Sequence, residues 1–129
     1  MILLDTHTLI WLMVEPSRLS ARANQAIRSA HQGGGLAISA ITLWELAWLA
    51  THGRLSFTGT LDAFVENITS RVAIRPITPK IAVLANQLPA TYSSDPSDRL
   101  IGATALAEGI TLVTKDRSIR TCKQISTIW

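Results

Sequence analysis

Short runs that are apolar on almost every residue alternate along this chain with segments of helical pattern, and that alternation narrows the possible folds more than any other feature. Strands are expected at Ile2–Asp5, Leu36–Ile38, Val72–Ile77 and Ile110–Thr114, with Ser126–Ile128 closing the chain as an edge strand. Between them, a helix over Thr8–Val14 is broken by Glu15-Pro16-Ser17, and Ser20 caps a more polar helix through about His31. Ser39 caps a helix to Thr51 that stops at His52-Gly53, and Thr60 opens another through Ser70. Thr78-Pro79 start a helix ending near Leu88-Pro89, Asp95-Pro96 start one that closes at Gly109, and Asp116 begins a short turn or helix. Strands apolar on both faces belong to a parallel sheet covered by helices on both sides, because each crossover between parallel strands lays a helix on a face. The expected fold class is therefore α/β, a short, mainly parallel central sheet between helical layers, with residues 1–129 as a single domain. Gly33-Gly34-Gly35 reads as a linker, and no internal repeat is present.

Four carboxylates interrupt this pattern where strands give way to helices: Asp5, Glu45, Asp98 and Asp116. They sit in ILLD, TLWELAWLA, DPSDRLIGATALA and ITLVTKD, runs that otherwise admit little charge. A buried, unpaired carboxylate costs several kcal/mol, roughly, so its recurrence at strand ends calls for a shared partner, and the simplest is a divalent cation. In parallel sheets ligands gather at the carboxyl ends of the strands, where these residues lie.

Each acid also has a plainer reading. Asp5 could cap the helix that follows, through Asp-Thr-His-Thr, with Thr6 as a neighbouring contact. Glu45 lies too deep in its helix to complete a capping box with Ser39, and with Trp44 and Trp48 around it a solvated face is unexpected, although it could share a polar stripe with Thr42. Asp95 and Asp98 suit a cap and a dipole-favoured first-turn acid, yet two carboxylates on one face repel without a cation. Asp95 is assigned mainly to capping and Asp98 mainly to metal binding. Asp116 could cap a turn, and Ser118 could add a hydroxyl ligand or simply be solvated. Arg99 either helps place a phosphate or pairs with an acid such as Asp95. His7, beside Asp5, could serve as ligand or base, although a histidine so placed more often packs in the core.

Oxygen donors alone suit a hard cation, Mg²⁺ or Mn²⁺, and argue against zinc. Such an ion would activate a water and offset charge on a phosphoryl oxygen.

Composition limits the partners. The chain is 47% hydrophobic and 16% charged, against a usual charged fraction of about a quarter, so an oligomer or a permanent partner is expected to cover apolar surface. Arg outnumbers Lys nine to three, and the guanidinium fork suits phosphates, which admits nucleic acid as a partner. The single cysteine, Cys122, excludes an internal disulfide framework and multi-cysteine zinc sites, and a reducing cytoplasmic setting is expected. No secretory signal is apparent, and Leu36–Ala50, which carries Glu45, falls short of the roughly 20 residues of a membrane span.

The ordered set LLDTHTLIWL, ISAITLWELAWL, DPSDRLIGATALAEG and ITLVTKDRSI resembles a PIN-domain ribonuclease, more narrowly a VapC-type toxin of a toxin–antitoxin pair, over nearly the whole chain. The resemblance implies an α/β/α sandwich and Mg²⁺- or Mn²⁺-dependent cleavage of single-stranded RNA, with the acidic set mapping onto Asp5, Glu45, Asp98 and Asp116. It also implies a homodimer silenced by a small VapB-like antitoxin. Ser118 stands where some members carry a further acid, which leaves the number of ions open. Two other functions compete. A phosphotransfer domain would need an acidic pair or an Asp-x-Asp motif after the first strand, and Asp5-Thr6-His7 supplies neither. A non-catalytic RNA- or protein-binding module would need the acids only as caps.

Overall fold

The computed structural model describes residues 1–129. Five strands, β1 (Ile2–Leu4), β2 (Leu36–Ser39), β3 (Ala73–Arg75), β4 (Thr111–Val113) and β5 (Thr127–Ile128), form one sheet in the order β3-β2-β1-β4-β5. Every neighbouring pair is parallel. The helices are α1 (Thr6–Val14), α2 (Ala21–Gln32), α3 (Ala40–Thr51), α4 (Leu61–Thr69), α5 (Pro79–Gln87), α6 (Pro96–Glu108) and α7 (Arg117–Arg120), with a 3₁₀ turn at Pro16–Arg18.

The period of two along each strand divides the core between the faces of the sheet. Leu4, Ile38 and Val113 point to one side and pack with Leu9, Ala23, Ile27, Leu46 and Ile68 from α1 to α4. Leu3, Ala37 and Leu112 point to the other side and meet Ile101 and Ala105 of α6 and Ile119 of α7. Full burial of each such aliphatic side chain stabilises the fold by about 1.5–3 kcal/mol. This is the three-layer α/β/α arrangement expected from the sequence.

The caps fall where the sequence puts them. Ser20, Ser39, Thr60, Thr78 and Asp95 each accept an amide two or three residues on, and Gly109 ends α6 in the left-handed region at φ 62. Two boundaries differ by more than one residue. The third strand is Ala73–Arg75 rather than Val72–Ile77, because Pro76 lacks an N–H and cannot extend the ladder. The first helix begins at Thr6 rather than Thr8, since the Asp5 carbonyl already accepts the Leu9 N–H at 3.0 Å.

The strand order places the site. The chain runs outward from β1 to β2 and β3, then returns to the opposite side of β1 for β4 and β5. The reversal opens a crevice at the carboxyl ends of β1 and β4, the place where such sheets bind ligands. No helix is long and apolar enough to cross a membrane.

Candidate active site

Asp5 leaves β1 directly into that crevice. Its amide still donates to the Val113 carbonyl of β4 at 3.1 Å, and the Thr8 hydroxyl donates to the same oxygen at 2.9 Å, so the start of α1 is fastened to β4. The side chain is only 5% exposed and forms no capping hydrogen bond. The capping explanation therefore fails for Asp5. What its carboxylate holds instead is Thr114, whose hydroxyl donates to Oδ2 at 2.7 Å.

Thr114 ends β4 fully buried, and its oxygen also accepts the Asp116 amide at 3.1 Å. Asp116 does cap α7: Oδ1 accepts the Ser118 amide at 2.8 Å and the Ser118 hydroxyl at 2.7 Å. Ser118 is thus a brace for Asp116 rather than a freely solvated hydroxyl.

The same device recurs at the start of α6. Ser93 accepts the Asp95 amide at 3.2 Å and donates its hydroxyl to Asp98 Oδ2 at 2.6 Å. Asp95 caps the helix as expected, accepting from Ser97 and Asp98 amides. On α3, Glu45 Oε1 accepts the Thr6 hydroxyl at 2.6 Å, and Thr6 Oγ1 lies 3.0 Å from Thr42 Oγ1. With Thr6 donating its one proton to Glu45, Thr42 donates to Thr6. The polar stripe on α3 is real, and Thr6 joins it to the start of α1.

Each of the four acids thus has one oxygen bound by a hydroxyl: Thr114 on Asp5, Thr6 on Glu45, Ser93 on Asp98 and Ser118 on Asp116. The other oxygen of each accepts no hydrogen bond from the protein. The two ion pairs of the chain, Arg18–Glu15 and Arg75–Glu108, leave all four without a cationic partner.

The titration behaviour follows. Burial raises the Asp5 carboxyl above its ordinary range, partly offset by Thr114, with Asp116 adding to the rise. Burial also raises Glu45, with Asp5, Asp98 and Asp95 contributing repulsion. Asp98 is pushed up to about 6, first by burial and then by Asp5, Asp95 and Asp116, against the lowering effect of Ser93. These acids therefore sense one another's charge across the crevice, and a cation there would relieve both the desolvation and the repulsion.

No three of the carboxylates converge on one point at ligating distance as the side chains stand, each being drawn toward its own hydroxyl. The donor set nonetheless fits a hard divalent ion: all oxygen, four of the atoms free of protein donors, and surplus negative charge without a counter-ion.

Two expectations are corrected. Arg99 does not pair with Asp95; its guanidinium donates to the carbonyls of Ala85 (2.8 Å), Ser93 (3.0 Å) and Leu88 (2.6 Å). It clamps the segment that carries Ser93 to the end of α5. His7 is not a core residue: it is exposed on the first turn of α1, between buried Thr6 and Thr8, with its ring 5.9 Å from that of Trp11.

Thr114, Ser93 and Tyr92 were not singled out from the sequence as parts of the site. The first two carry a readable signal, a hydroxyl residue two positions before a helix-capping aspartate, in Ser93-Ser94-Asp95 and Thr114-Lys115-Asp116. Tyr92 donates to the Asp98 carbonyl at 2.8 Å, and a side chain at Gly102 would overlap its hydroxyl, so the glycine makes room for it.

The comparisons with known proteins agree with this fold. The PIN domain family profile matches residues 2–123. Ribonuclease VapC22 of Mycobacterium tuberculosis (strain ATCC 25618 / H37Rv) is 43% identical over 119 residues, covering 92% of this chain and 89% of the relative. Among solved structures, VapBC-1 from nontypeable Haemophilus influenzae superposes with a TM-score of 0.77 at 20% identity, covering 99% of this chain and 97% of that one. VapBC2 from Rickettsia felis, bound to a DNA fragment from its promoter, does so with a TM-score of 0.75 at 19% identity, covering 99% and 98%. At that level of identity the structures speak for the fold, while the family profile and the 43% relative carry the assignment: this chain belongs to the PIN-domain family, in its VapC group.

Proposed function

We propose that this protein is a divalent-metal-dependent endoribonuclease, the toxin of a toxin–antitoxin pair, acting through Asp5, Glu45, Asp98 and Asp116. The observation that carries the reading is the unpaired acidic set at the sheet's switch point, each member with one oxygen held by a hydroxyl and one left open. Capping accounts for Asp116 and Asp95 but not for Asp5, Glu45 or Asp98, which disfavours a non-catalytic module. The ribonuclease name of the 43% identical relative supports RNA as the substrate, and the VapBC complexes among the structural neighbours support a small antitoxin as partner.

Asp5, Asp98 and Asp116 would hold Mg²⁺ or Mn²⁺, with Glu45 completing the pocket or holding a second ion or a water. A bound divalent ion supplies charge neutralisation at a phosphodiester and a more acidic water. The chain's own contribution is to fix the carboxylates in place. Thr114 and Ser93 anchor Asp5 and Asp98 to the backbone turns before α7 and α6, and Thr6 orients Glu45, leaving the second oxygen of each without a hydroxyl donor. Arg99 holds the Ser93 turn in register. Homodimer formation would cover part of the surplus apolar surface, including Trp44 and Trp48 on the outer face of α3.

The test is cleavage of single-stranded RNA by the purified protein with Mn²⁺ or Mg²⁺, with EDTA, and with Asp98→Asn. Cleavage that needs the ion and Asp98 supports the reading. Cleavage unaffected by either refutes the metal-centred site, and no cleavage under any divalent ion refutes the enzyme.

A further inference from the structure

Beside the acidic crevice, on the β4–β5 side, the surface changes sign. Arg22 of α2, Arg117 and Arg120 of α7, Thr127 of β5 and Trp129 line a recess of about 490 Å³. The three arginines are exposed, and none of their side chains has an acidic partner or a hydrogen bond within the chain, although both of the chain's ion pairs use arginine. Guanidinium groups left free around a concave surface are available for phosphate.

An aromatic and cationic path joins this recess to the site. The Trp129 ring lies 5.6 Å from that of Trp11, and Trp11 lies 5.9 Å from His7, two residues beyond Asp5. Lys115, next to Asp116, sits 5.7 Å from the Trp11 ring centre, and the Arg18 guanidinium 4.7 Å from it. Trp11 thus holds two cations by its faces, and Trp129 is the ring that lines the open recess. Alternating aromatic rings and free cations, leading away from an acidic centre, form the combination that binds a single strand: phosphates along the cations and a base on the aromatic face.

We propose that His7, Lys115 and Trp129, with Arg22, Arg117 and Arg120, form a track that binds the single-stranded RNA flanking the scissile phosphate. The track rests on the ribonuclease reading for its choice of ligand, yet binding can be measured without catalysis. A fluorescent single-stranded oligoribonucleotide of about ten nucleotides, in EDTA, is titrated by anisotropy across a salt series. The Arg22→Gln/Arg120→Gln double variant should flatten the dependence of log affinity on log salt by about 1.4, two phosphate contacts at about 0.7 each. Trp129→Leu should weaken binding about tenfold and leave that slope alone. The double variant should also raise KM for the longer strand.

Unchanged affinity and slope in both variants would overturn the track. So would equal losses for single-stranded RNA and duplex DNA, which would make the recess a general anion patch. So would loss of binding to a polyglutamate peptide with RNA binding untouched, which would assign it to an acidic protein partner. A parent that binds the strand through these residues but cleaves no RNA with any divalent ion refutes the nuclease reading and leaves the track standing.

Discussion

Replacing Thr114 by valine removes one hydroxyl and keeps the volume of a side chain that is fully buried. Two hydrogen bonds go with it: the 2.7 Å donation to the Asp5 carboxylate and the 3.1 Å acceptance from the Asp116 amide. A bond to a charged group contributes about 1.5–3 kcal/mol and one between neutral groups about 0.5–1.5, so the expected loss is about 2–4 kcal/mol near neutral pH. Urea unfolding, with a slope of about 1–3 kcal/mol/M for a chain of this size, would register it as a midpoint lowered by about 1–2 M. Thr114→Ser, which keeps the hydroxyl and loses only a buried methyl, should cost about 1 kcal/mol. Acid discriminates further. Burial already holds the Asp5 carboxyl above its ordinary range, and the Thr114 hydroxyl is what lowers it. Without that donor Asp5 takes up its proton at higher pH, so the valine deficit should be smaller at an acidic than at a mildly alkaline pH. The reasoning fails if valine costs no more than serine, or if its deficit is the same at both pH values.

Glu45→Gln keeps the shape and the acceptor for Thr6 but loses the charge; RNA cleavage should fall at least about 100-fold, and near-normal cleavage would return Glu45 to a structural polar stripe. Arg99→Met strips three backbone carbonyls of their donor and should cost about 2–4 kcal/mol in urea unfolding, with amide-exchange protection lost first between Leu88 and Asp95; a loss below about 0.5 kcal/mol would deny the clamp. Because Asp98 is pushed up to about 6, Mn²⁺ affinity should weaken as pH falls through about 6, by up to tenfold per unit for each proton displaced, as read by calorimetry at several pH values. Metal-free stability should move the other way: carboxyls raised in the folded state shed an unfavourable charge on protonation, so Asp5, Glu45 and Asp98 each favour the fold more as pH falls through their raised titration ranges, about 6 for Asp98, as melting curves in EDTA would show.

The layers and the helix starts were legible because each rests on local chemistry: apolar runs for the strands, and Ser20, Ser39, Thr60, Thr78 and Asp95 for the caps. The third strand was drawn too long because hydropathy continues through Val72–Ile77 while the hydrogen-bonding capacity stops at Pro76. The four acids stood out because charge is rare in such runs. Thr6 and Ser118 were named as possible contacts, but the bonds of Thr6 to Glu45 and of Thr114 to Asp5 were not, since they form only once the sheet brings distant segments together. Arg99 was misread for a related reason. Its neighbour in sequence is an acid, but its neighbours in space are carbonyls left over at the end of α5, which the chain does not announce.

The central claim, that these carboxylates form one divalent-ion site, is tested most directly by titrating Mn²⁺ into the metal-free protein by calorimetry, beside Asp5→Asn. Asp5 has no capping role, so its loss should remove a ligand without removing a helix cap. The parent should bind saturably, and Asp5→Asn should bind more weakly by more than the 10–100-fold, roughly, that follows loss of a residue merely supporting a ligand. No saturable binding by the parent, or equal affinity in the two proteins, would contradict the account.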